Sequence, residues 1–259
     1  MSTHRAPIPR PSVPLLVIAS LLAGCAPSGA PGDGAEATST EGNAMDGLTE
    51  AERRAGWRSL FDGESLQGWR EYRSEAPPEG WRAEDGTLHR YAPGGDIMTA
   101  ETFDDYELAL EWKVAEGGNS GIFYHGRPGY DYIHDAAPEM QVLDDATHPD
   151  GGNPLTSAGA VYALYPAPPG VVRPAGEWNS VRIVANGDRV EHWLNGEKIV
   201  EYELGSEDWK RRVADTKFAG TDYGAFRSGH IGLQDHGDPV WFRNIKLRSL
   251  EGGAEGTDS

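Results

Sequence analysis

The chain has 259 residues, with 41 acidic against 23 basic side chains and a formal net charge of −18. This excess disfavours a nucleic-acid partner, because affinity for phosphate depends on clustered Lys and Arg. The single cysteine, Cys25, excludes an internal disulfide and any zinc or iron–sulfur site built from several cysteines. The 34 glycines and 18 prolines, together with short apolar segments, favour strands and turns over a helical bundle.

The first 25 residues are typical of a targeting segment. Arg5 and Arg10 precede an apolar run over 13–23, which has signal-peptide length and is too short to span a bilayer as a helix. The run ends in Leu-Ala-Gly-Cys25, which resembles the lipobox of bacterial lipoproteins, where the cysteine is lipidated after cleavage. We therefore predict a lipid anchor on Cys25 and a place in the cell envelope, at the outer membrane facing the periplasm or the cell surface. An ordinary secretory signal is the alternative.

Composition divides the remainder into three parts. Residues 26–47 are rich in Gly, Ala, Ser, Thr and Pro without an apolar period, which predicts a flexible tether. The folded domain is expected over 48–250, and 251–259 form a polar, disordered tail.

Two short helices and about ten strands are predicted in the domain. Thr49 and Glu52 form a capping box for a helix that stops at Gly56, and Ser206 is the expected N-cap of the second helix. Strand patterns cover 87–91, 96–100, 106–114, 120–126, 138–145, 159–166, 181–185, 190–194, 198–202, 229–236 and 239–248. Short strands around one core predict an all-β, two-sheet antiparallel sandwich of jelly-roll type.

The segment from Glu139 to Asp144 carries the most informative pattern. In a strand, Glu139 and Gln141 point to one face, while Met140 and Val142 fill the core face. Asp144 joins the first pair only where a bulge shifts the register. The spacing is that of the E-x-D-x-x-E motif in jelly-roll glucanases, whose carboxylates act as nucleophile and general acid/base. Because Gln141 cannot ionise, we expect Glu139 and Asp144 to be catalytic by another route and Gln141 to bind substrate. A turn anchor is the alternative for Asp144.

A second group lies in the strand at 229–236. Ile231 and Leu233 are expected to face the core, so Gln234 and His236 face the opposite side. An imidazole can act as a base near neutral pH. We predict that His236 is catalytic and that Gln234 binds substrate.

Further contacts to substrate are predicted around the strand at 120–126. Asn119 stands at its entry, and His125 and Arg127 stand at its end, with His125 expected to face away from Tyr124. Tyr162 and Trp178 flank a proline-rich loop that is a candidate wall of a cleft, where aromatic rings stack on sugars.

A divalent metal is one hypothesis for the cofactor. His125, Asp144, His148 and His236 form a mixed nitrogen and oxygen donor set. No H-x-H or H-x-x-x-H pair enforces such a site, so a protein without a cofactor is the other hypothesis.

Eight motifs follow one another along the chain in the order of a known family. They are Leu60-Phe-Asp-Gly-Glu-Ser-Leu-Gln-Gly-Trp69, Asn119-Ser-Gly-Ile, Glu139-Met-Gln-Val-Leu-Asp144, Gly159-Ala-Val-Tyr162, Gly176-Glu-Trp-Asn179, His192-Trp-Leu-Asn-Gly196, His230-Ile-Gly-Leu-Gln-Asp-His-Gly237 and Trp241-Phe-Arg-Asn-Ile245. Over 57–250 the chain resembles the 3-keto-disaccharide hydrolase domain family, which has a concanavalin A-like lectin/glucanase sandwich.

The resemblance implies an enzyme whose substrate is an oligosaccharide or glycoside already oxidised to a ketone at C3. Such a ketone acidifies the C2 proton, so a base can remove it, the C1 group leaves by elimination, and water adds. Glu139 or His236 is then the base, and Gln141, Gln234 or a metal holds the keto oxygen. A non-catalytic sugar-binding module is the alternative, and an ordinary β-glucanase is less favoured because of Gln141.

Overall fold

Two antiparallel sheets pack face to face in residues 47–250, the part of the chain that this computed structural model describes. The helices are α1 (Glu50–Arg54) and α2 (Glu207–Ala214), with 3₁₀ turns at Ile133–Asp135 and Pro149–Gly152. The strands are β1 (Arg58–Ser59), β2 (Trp69–Glu71), β3 (Trp81–Glu84), β4 (Thr87–Arg90), β5 (Ile97–Thr99), β6 (Tyr106–Val114), β7 (Asn119–Gly126), β8 (Glu139–Leu143), β9 (Asn179–Asn186), β10 (Arg189–Leu194), β11 (Glu197–Glu203), β12 (His230–Leu233) and β13 (Val240–Ser249).

The larger sheet has eight strands in the order β11-β10-β9-β6-β13-β4-β3, with β1 paired to β13. The smaller sheet has five strands in the order β2-β5-β12-β7-β8. Every strand pair in both sheets is antiparallel. The predicted all-β sandwich is therefore confirmed.

Alternation along the strands builds the core between the sheets. On β6, five side chains at every second position are at most 2% exposed: Tyr106, Leu108, Leu110, Trp112 and Val114. They pack in one apolar cluster with residues of the smaller sheet, such as Met140 and Ile231. Burial of this kind, at about 25 cal/mol per Å² of apolar surface, holds the two layers together. The opposite face of the smaller sheet lies outside this core.

The predicted caps of both helices are confirmed. Thr49 and Glu52 form a reciprocal capping box at α1, and Gly56 adopts a φ of 82° just after its end. The Ser206 hydroxyl accepts a hydrogen bond from the amide of Trp209 at the start of α2. Strands β1, β2 and β3 were not predicted from the sequence. Each has only two to four residues, which is too short to show an alternating pattern.

The strand predicted over 159–166 is wrong. Val161 bridges to Met140 on one side and to Tyr165 on the other, so this segment folds back on itself. Ala163, with a φ of 64°, lies inside that tight turn. The turn still lies beside β8, because the amide of Tyr162 donates to the carbonyl of Glu139 at 3.1 Å.

The predicted signal segment with Cys25, the tether up to residue 46 and the tail at 251–259 lie outside the described residues. No helix in the described range 47–250 combines the length and the apolar character that a membrane span needs.

Candidate active site

A small pocket opens on the face of the smaller sheet that points away from the core. Its volume is about 120 Å³. Nine side chains line it: Asn119, His134, Glu139, Gln141, Asp150, Tyr162, Lys217, Gln234 and His236. Because Met140 and Val142 are buried in the core, the period of two along β8 turns Glu139 and Gln141 into this pocket together.

Glu139 is a buried carboxyl group at the pocket. Glu139 is only 4% exposed. Burial, together with the nearby Asp96 carboxylate, raises the pKa of its carboxyl group to about 8. Lys217 acts in the opposite direction and favours the charged form. A carboxyl group with a pKa near 8 is a stronger base than an ordinary glutamate and ionises near neutral pH.

Gly121 makes the room that Glu139 occupies. It lies opposite Gln141 on the neighbouring strand β7. A Cβ atom at this position would stand 2.1 Å from Oε1 of Glu139, which is far inside van der Waals contact. The glycine of the Asn119-Ser-Gly-Ile motif therefore permits the Glu139 carboxyl group to lie against β7.

Replacing Gly121 with alanine is expected to displace the Glu139 carboxyl group and to lower kcat by about a hundredfold, as misplacement by about 1 Å does in other enzymes. Gly152→Ala is the matched control, because a Cβ atom there meets no atom within 4 Å. Steady-state rates and circular dichroism of both variants check this. Wild-type kcat in a folded Gly121→Ala variant would contradict the positioning role.

Three amide side chains in the pocket hold polar atoms that have no hydrogen-bond partner. These atoms are Oδ1 of Asn119, Nε2 of Gln141 and Oε1 of Gln234. Asn119 and Gln141 are 3% and 1% exposed, so each bears the cost of a buried, unpaired polar group. Such groups in a pocket are suited to a ligand that offers hydroxyl and carbonyl groups.

Charged and titratable side chains surround the mouth of the pocket. His236 is exposed, and His134 is half-buried with a pKa lowered by burial and by the Lys217 cation. Lys217 is the only Lys or Arg that lines the pocket, and its Nζ lies 5.0 Å from the centre of the Tyr162 ring. Burial and the proximity of Glu139 raise the pKa of Tyr162.

Three of these lining residues were not predicted: His134, Asp150 and Lys217. His134 and Asp150 come from 3₁₀ turns, and Lys217 follows the end of α2, so none belongs to a periodic segment. Phe218, which stacks on Tyr223 with 3.9 Å between ring centres, fixes the segment that carries Lys217. No pattern in the sequence around these three residues indicates the site, because their positions depend on the fold.

Asp144 lies away from this pocket. No bulge returns it to the face of Glu139. Instead its carboxylate accepts hydrogen bonds from the amides of Gly117 (2.8 Å) and Ala146 (3.2 Å) and from the hydroxyl of Thr147. Burial acts to raise the pKa of Asp144, but these hydrogen bonds outweigh it and lower the pKa. The alternative of a turn anchor matches this geometry.

Asp144→Ala is expected to lower the free energy of unfolding by about 2 kcal/mol, because two backbone amides and the Thr147 hydroxyl lose a charged acceptor. We expect kcat to stay unchanged, since no contact links Asp144 to the pocket. Urea unfolding and steady-state kinetics measure the two effects. A large loss of kcat with wild-type stability would instead restore Asp144 as a catalytic residue.

His125, predicted to face away from Tyr124, lies against it in the core. Its φ is 58°, and the pairing of β7 with β12 shifts register there, so simple alternation fails. The His125 ring packs edge-on against Tyr106 and Tyr124, and burial lowers its pKa to about 4.

Arg127 and Trp178 also lie outside the pocket. Arg127 donates to the hydroxyl of Ser228. Trp178 stacks under the guanidinium of Arg243 at 4.0 Å and near Lys113. We therefore assign neither residue a contact with substrate.

The four predicted metal ligands do not come together. His148 accepts a hydrogen bond from the amide of Asp150 at a helix start, His125 is in the core, Asp144 anchors a turn and His236 lines the pocket. Among residues 47–250, no group of three or more His, Cys, Asp or Glu side chains is arranged to hold a metal ion.

A larger cavity of about 350 Å³ lies between the Asp144 turn and the proline-rich loop. This loop therefore does not form a wall of the Glu139 pocket. The carboxylates that line the cavity are already hydrogen-bonded: Asp145 accepts from the amide of Ala158 at 2.8 Å, and Asp144 is bound as described. The smaller pocket is the better candidate, because it holds unpaired polar atoms beside a carboxyl group with a raised pKa.

Comparison with known proteins agrees with the motif order. Residues 56–248 match the 3-keto-alpha-glucoside-1,2-lyase-like domain. A protein from Bacteroides thetaiotaomicron named 3-keto-disaccharide hydrolase is 33% identical over 240 residues, which cover 80% of this chain and 83% of the relative.

Solved structures show the same relationship. A candidate glycosyl hydrolase from Parabacteroides distasonis superposes with a TM-score of 0.75 at 36% identity, covering 80% of this chain and 99% of the other. A second candidate glycosyl hydrolase from that organism gives a TM-score of 0.60 at 31% identity, with 75% and 99% covered. The chain is thus an enzyme of the glycoside hydrolase type, and it belongs to the 3-keto-alpha-glucoside-1,2-lyase-like domain family.

Proposed function

We propose that this protein cleaves 3-keto-glycosides, including 3-keto-disaccharides, by removing the C2 proton, eliminating the C1 substituent and adding water. The observation that carries the proposal is the Glu139 carboxyl group, buried in the pocket with a pKa raised to about 8, beside the unpaired amide of Gln141. A base and an oxyanion donor side by side are what proton abstraction next to a ketone requires.

In this mechanism Glu139 takes the proton from C2, and the electrons of that C–H bond form an enolate with the C3 carbonyl. The Nε2 donor of Gln141 and the positive charge of Lys217 stabilise the oxygen at C3. The enolate then reforms the ketone as the C1–O bond breaks, leaving a double bond between C1 and C2. His236, exposed at the mouth, donates a proton to the departing oxygen. Water adds at C1 and a proton returns to C2, so the net reaction is hydrolysis.

Glu139 is the better base and His236 the better acid because of where they lie. Glu139 is enclosed in the pocket, where the oxidised ring fits, whereas His236 is exposed where a leaving group departs. The unpaired oxygens of Asn119 and Gln234 can accept hydrogen bonds from hydroxyl groups of the sugar.

An ordinary retaining glycosidase needs two carboxyl groups about 5–5.5 Å apart. Here the neighbour of Glu139 on the same strand face is an amide, Gln141, and Asp144 is held in its turn. Asp150, the other carboxyl group that lines the pocket, comes from a 3₁₀ turn and not from this strand face. The proposed elimination needs a single carboxyl base, so an amide at position 141 is tolerated.

Incubation with methyl 3-keto-α-glucoside and with unoxidised methyl α-glucoside tests the proposal. We expect methanol release from the ketone alone. Release from neither, with retained binding, would show a sugar-binding module, and release from the unoxidised sugar would show an ordinary glycosidase. A parallel reaction with a chelator separates the two cofactor hypotheses. Loss of rate with recovery on adding metal would show a divalent metal, and an unchanged rate would show a reaction without one.

The pH dependence of kcat/KM is a separate prediction. The substrate for this test is p-nitrophenyl 3-keto-α-glucoside, whose leaving group departs without a proton from His236, so the pH profile reports the base alone. Because a base must be ionised, kcat/KM is expected to rise as the pH is raised through about 8, the pKa of Glu139. Initial rates between pH 6 and pH 9 measure this limb (roughly the range in which such a group titrates). A rate that is flat or falls over this range would contradict Glu139 as the base.

We also propose that the lipid anchor on Cys25 holds the enzyme in the cell envelope, which rests on the lipobox alone. Incorporation of labelled fatty acid that is lost in Cys25→Ala tests it.

A further inference from the structure

The pocket is too small for a disaccharide. Its volume of about 120 Å³ is well below the roughly 300–1,000 Å³ of pockets that enclose drug-sized ligands. One sugar ring occupies such a space. If the proposed function holds, the second ring of a 3-keto-disaccharide must lie outside, against the rim of the pocket.

Tyr132 is the exposed aromatic residue at this rim. It is 60% exposed, and Tyr91 is the only other exposed large hydrophobic residue in the part of the chain that the structure describes. The Tyr132 ring stacks on His134, with 5.1 Å between ring centres and 9° between planes, and His134 lines the pocket. One face of Tyr132 is thus covered and the other is free.

The rim is fixed to the sheet by Ile133, which lies between these two residues and is fully buried. Its Cδ1 atom fills space left by two glycines on neighbouring strands. A Cβ atom at Gly232 would lie 2.4 Å from Cδ1, and one at Gly126 would lie 3.1 Å from it. In addition, the amide of Tyr132 donates to Oδ2 of Asp135 at 3.0 Å. The tyrosine is therefore held in place before any ligand arrives, which lowers the entropic cost of binding.

We propose that Tyr132 is the platform for the leaving-group ring of a disaccharide substrate, which packs on the free face of this tyrosine. Aromatic rings present a large, rigid surface to the C–H face of a sugar. The proposal rests on the proposed function for the identity of the first ring. The stacked Tyr132–His134 pair also places the departing ring beside the mouth of the pocket, where His236 lies.

The test compares two probes, 3-keto-trehalose and methyl 3-keto-α-glucoside, in wild type, Tyr132→Ala and Tyr132→Phe. In Tyr132→Ala the ratio of kcat/KM for the disaccharide to that for the methyl glycoside is expected to fall about tenfold, mainly through KM. Tyr132→Phe keeps the ring and is expected to keep the ratio. Tyr91→Ala is the matched control, because it removes the other exposed tyrosine, which is 48% exposed and follows β4 in the other sheet.

Dissociation constants of both probes, measured by calorimetry in the Glu139→Gln background, separate the two proposals. If wild type turns over neither probe, the proposed function fails, but the ratio of the dissociation constants still shows whether Tyr132 contacts the second ring. An unchanged ratio in Tyr132→Ala, or an equal fall in Tyr91→Ala, would overturn the platform.

Discussion

Replacing Glu139 with glutamine is expected to lower kcat by about a thousandfold, because general base catalysis by a positioned side chain contributes about 10²–10⁴. Glutamine has nearly the same shape and cannot accept a proton from C2. The fold is expected to remain intact, since the space beside Gly121 is still filled. Steady-state rates on methyl 3-keto-α-glucoside, with circular dichroism as the control for folding, measure this effect. A variant with wild-type kcat would remove Glu139 from the reaction.

The same variant has a second expected signature in stability. The pKa of Glu139 is raised from 4.5 when unfolded to about 8 when folded, so the native state binds more protons between these values. The contribution of Glu139 to the free energy of unfolding of wild type is therefore fully present below pH 4.5, and it is lost as the pH rises through about 8. Glu139→Gln does not titrate, so relative to wild type it should gain stability from pH 5 to pH 8.5, by up to about 5 kcal/mol. Urea unfolding at several pH values measures the difference, and a constant difference would show that Glu139 does not titrate in this way.

Replacing Gln141 with methionine is expected to lower kcat by about a hundredfold, because loss of one oxyanion donor costs about 10²–10³. Methionine keeps the length of the side chain and removes the Nε2 donor, which has no partner in the protein. KM should change little, since the donor acts most strongly on the charge that develops at the C3 oxygen.

Gln67→Met provides the control for this substitution, because Gln67 is exposed and lines a different cavity. If Gln141→Met raised KM and left kcat unchanged, Gln141 would bind the ground state only. Its role in stabilising the enolate would then be contradicted.

Local alternation explains the parts of the site that could be predicted from sequence. Glu139 and Gln141 share a strand face, and Gln234 and His236 reach the same pocket from the loop that follows β12, two strands away. Met140 on β8 and Leu233 on β12 face the core, so the period of two places the alternating residues on the opposite side. Asn119 enters the pocket from the strand between β8 and β12.

Irregular backbone explains what the sequence could not provide. The positive φ of His125 turns a side chain toward the core that alternation sends outward. Lys217 and His134 reach the pocket from segments with no period, so only the folded chain brings them to Glu139. Tyr162 does reach the pocket, but from a tight turn rather than the predicted strand, because Val161 pairs on both sides.

Hydrolysis of methyl 3-keto-α-glucoside in heavy water tests the central claim most directly, with the position of deuterium in the released sugar read by NMR. The account predicts one deuterium at C2 in every turnover, because the proton that Glu139 removes exchanges with solvent before C2 is protonated again. The isolated 3-keto-glucose product, incubated alone, corrects for spontaneous exchange. A released sugar that retains protium at C2 in every turnover would contradict the account, in which C2 takes its new proton from solvent.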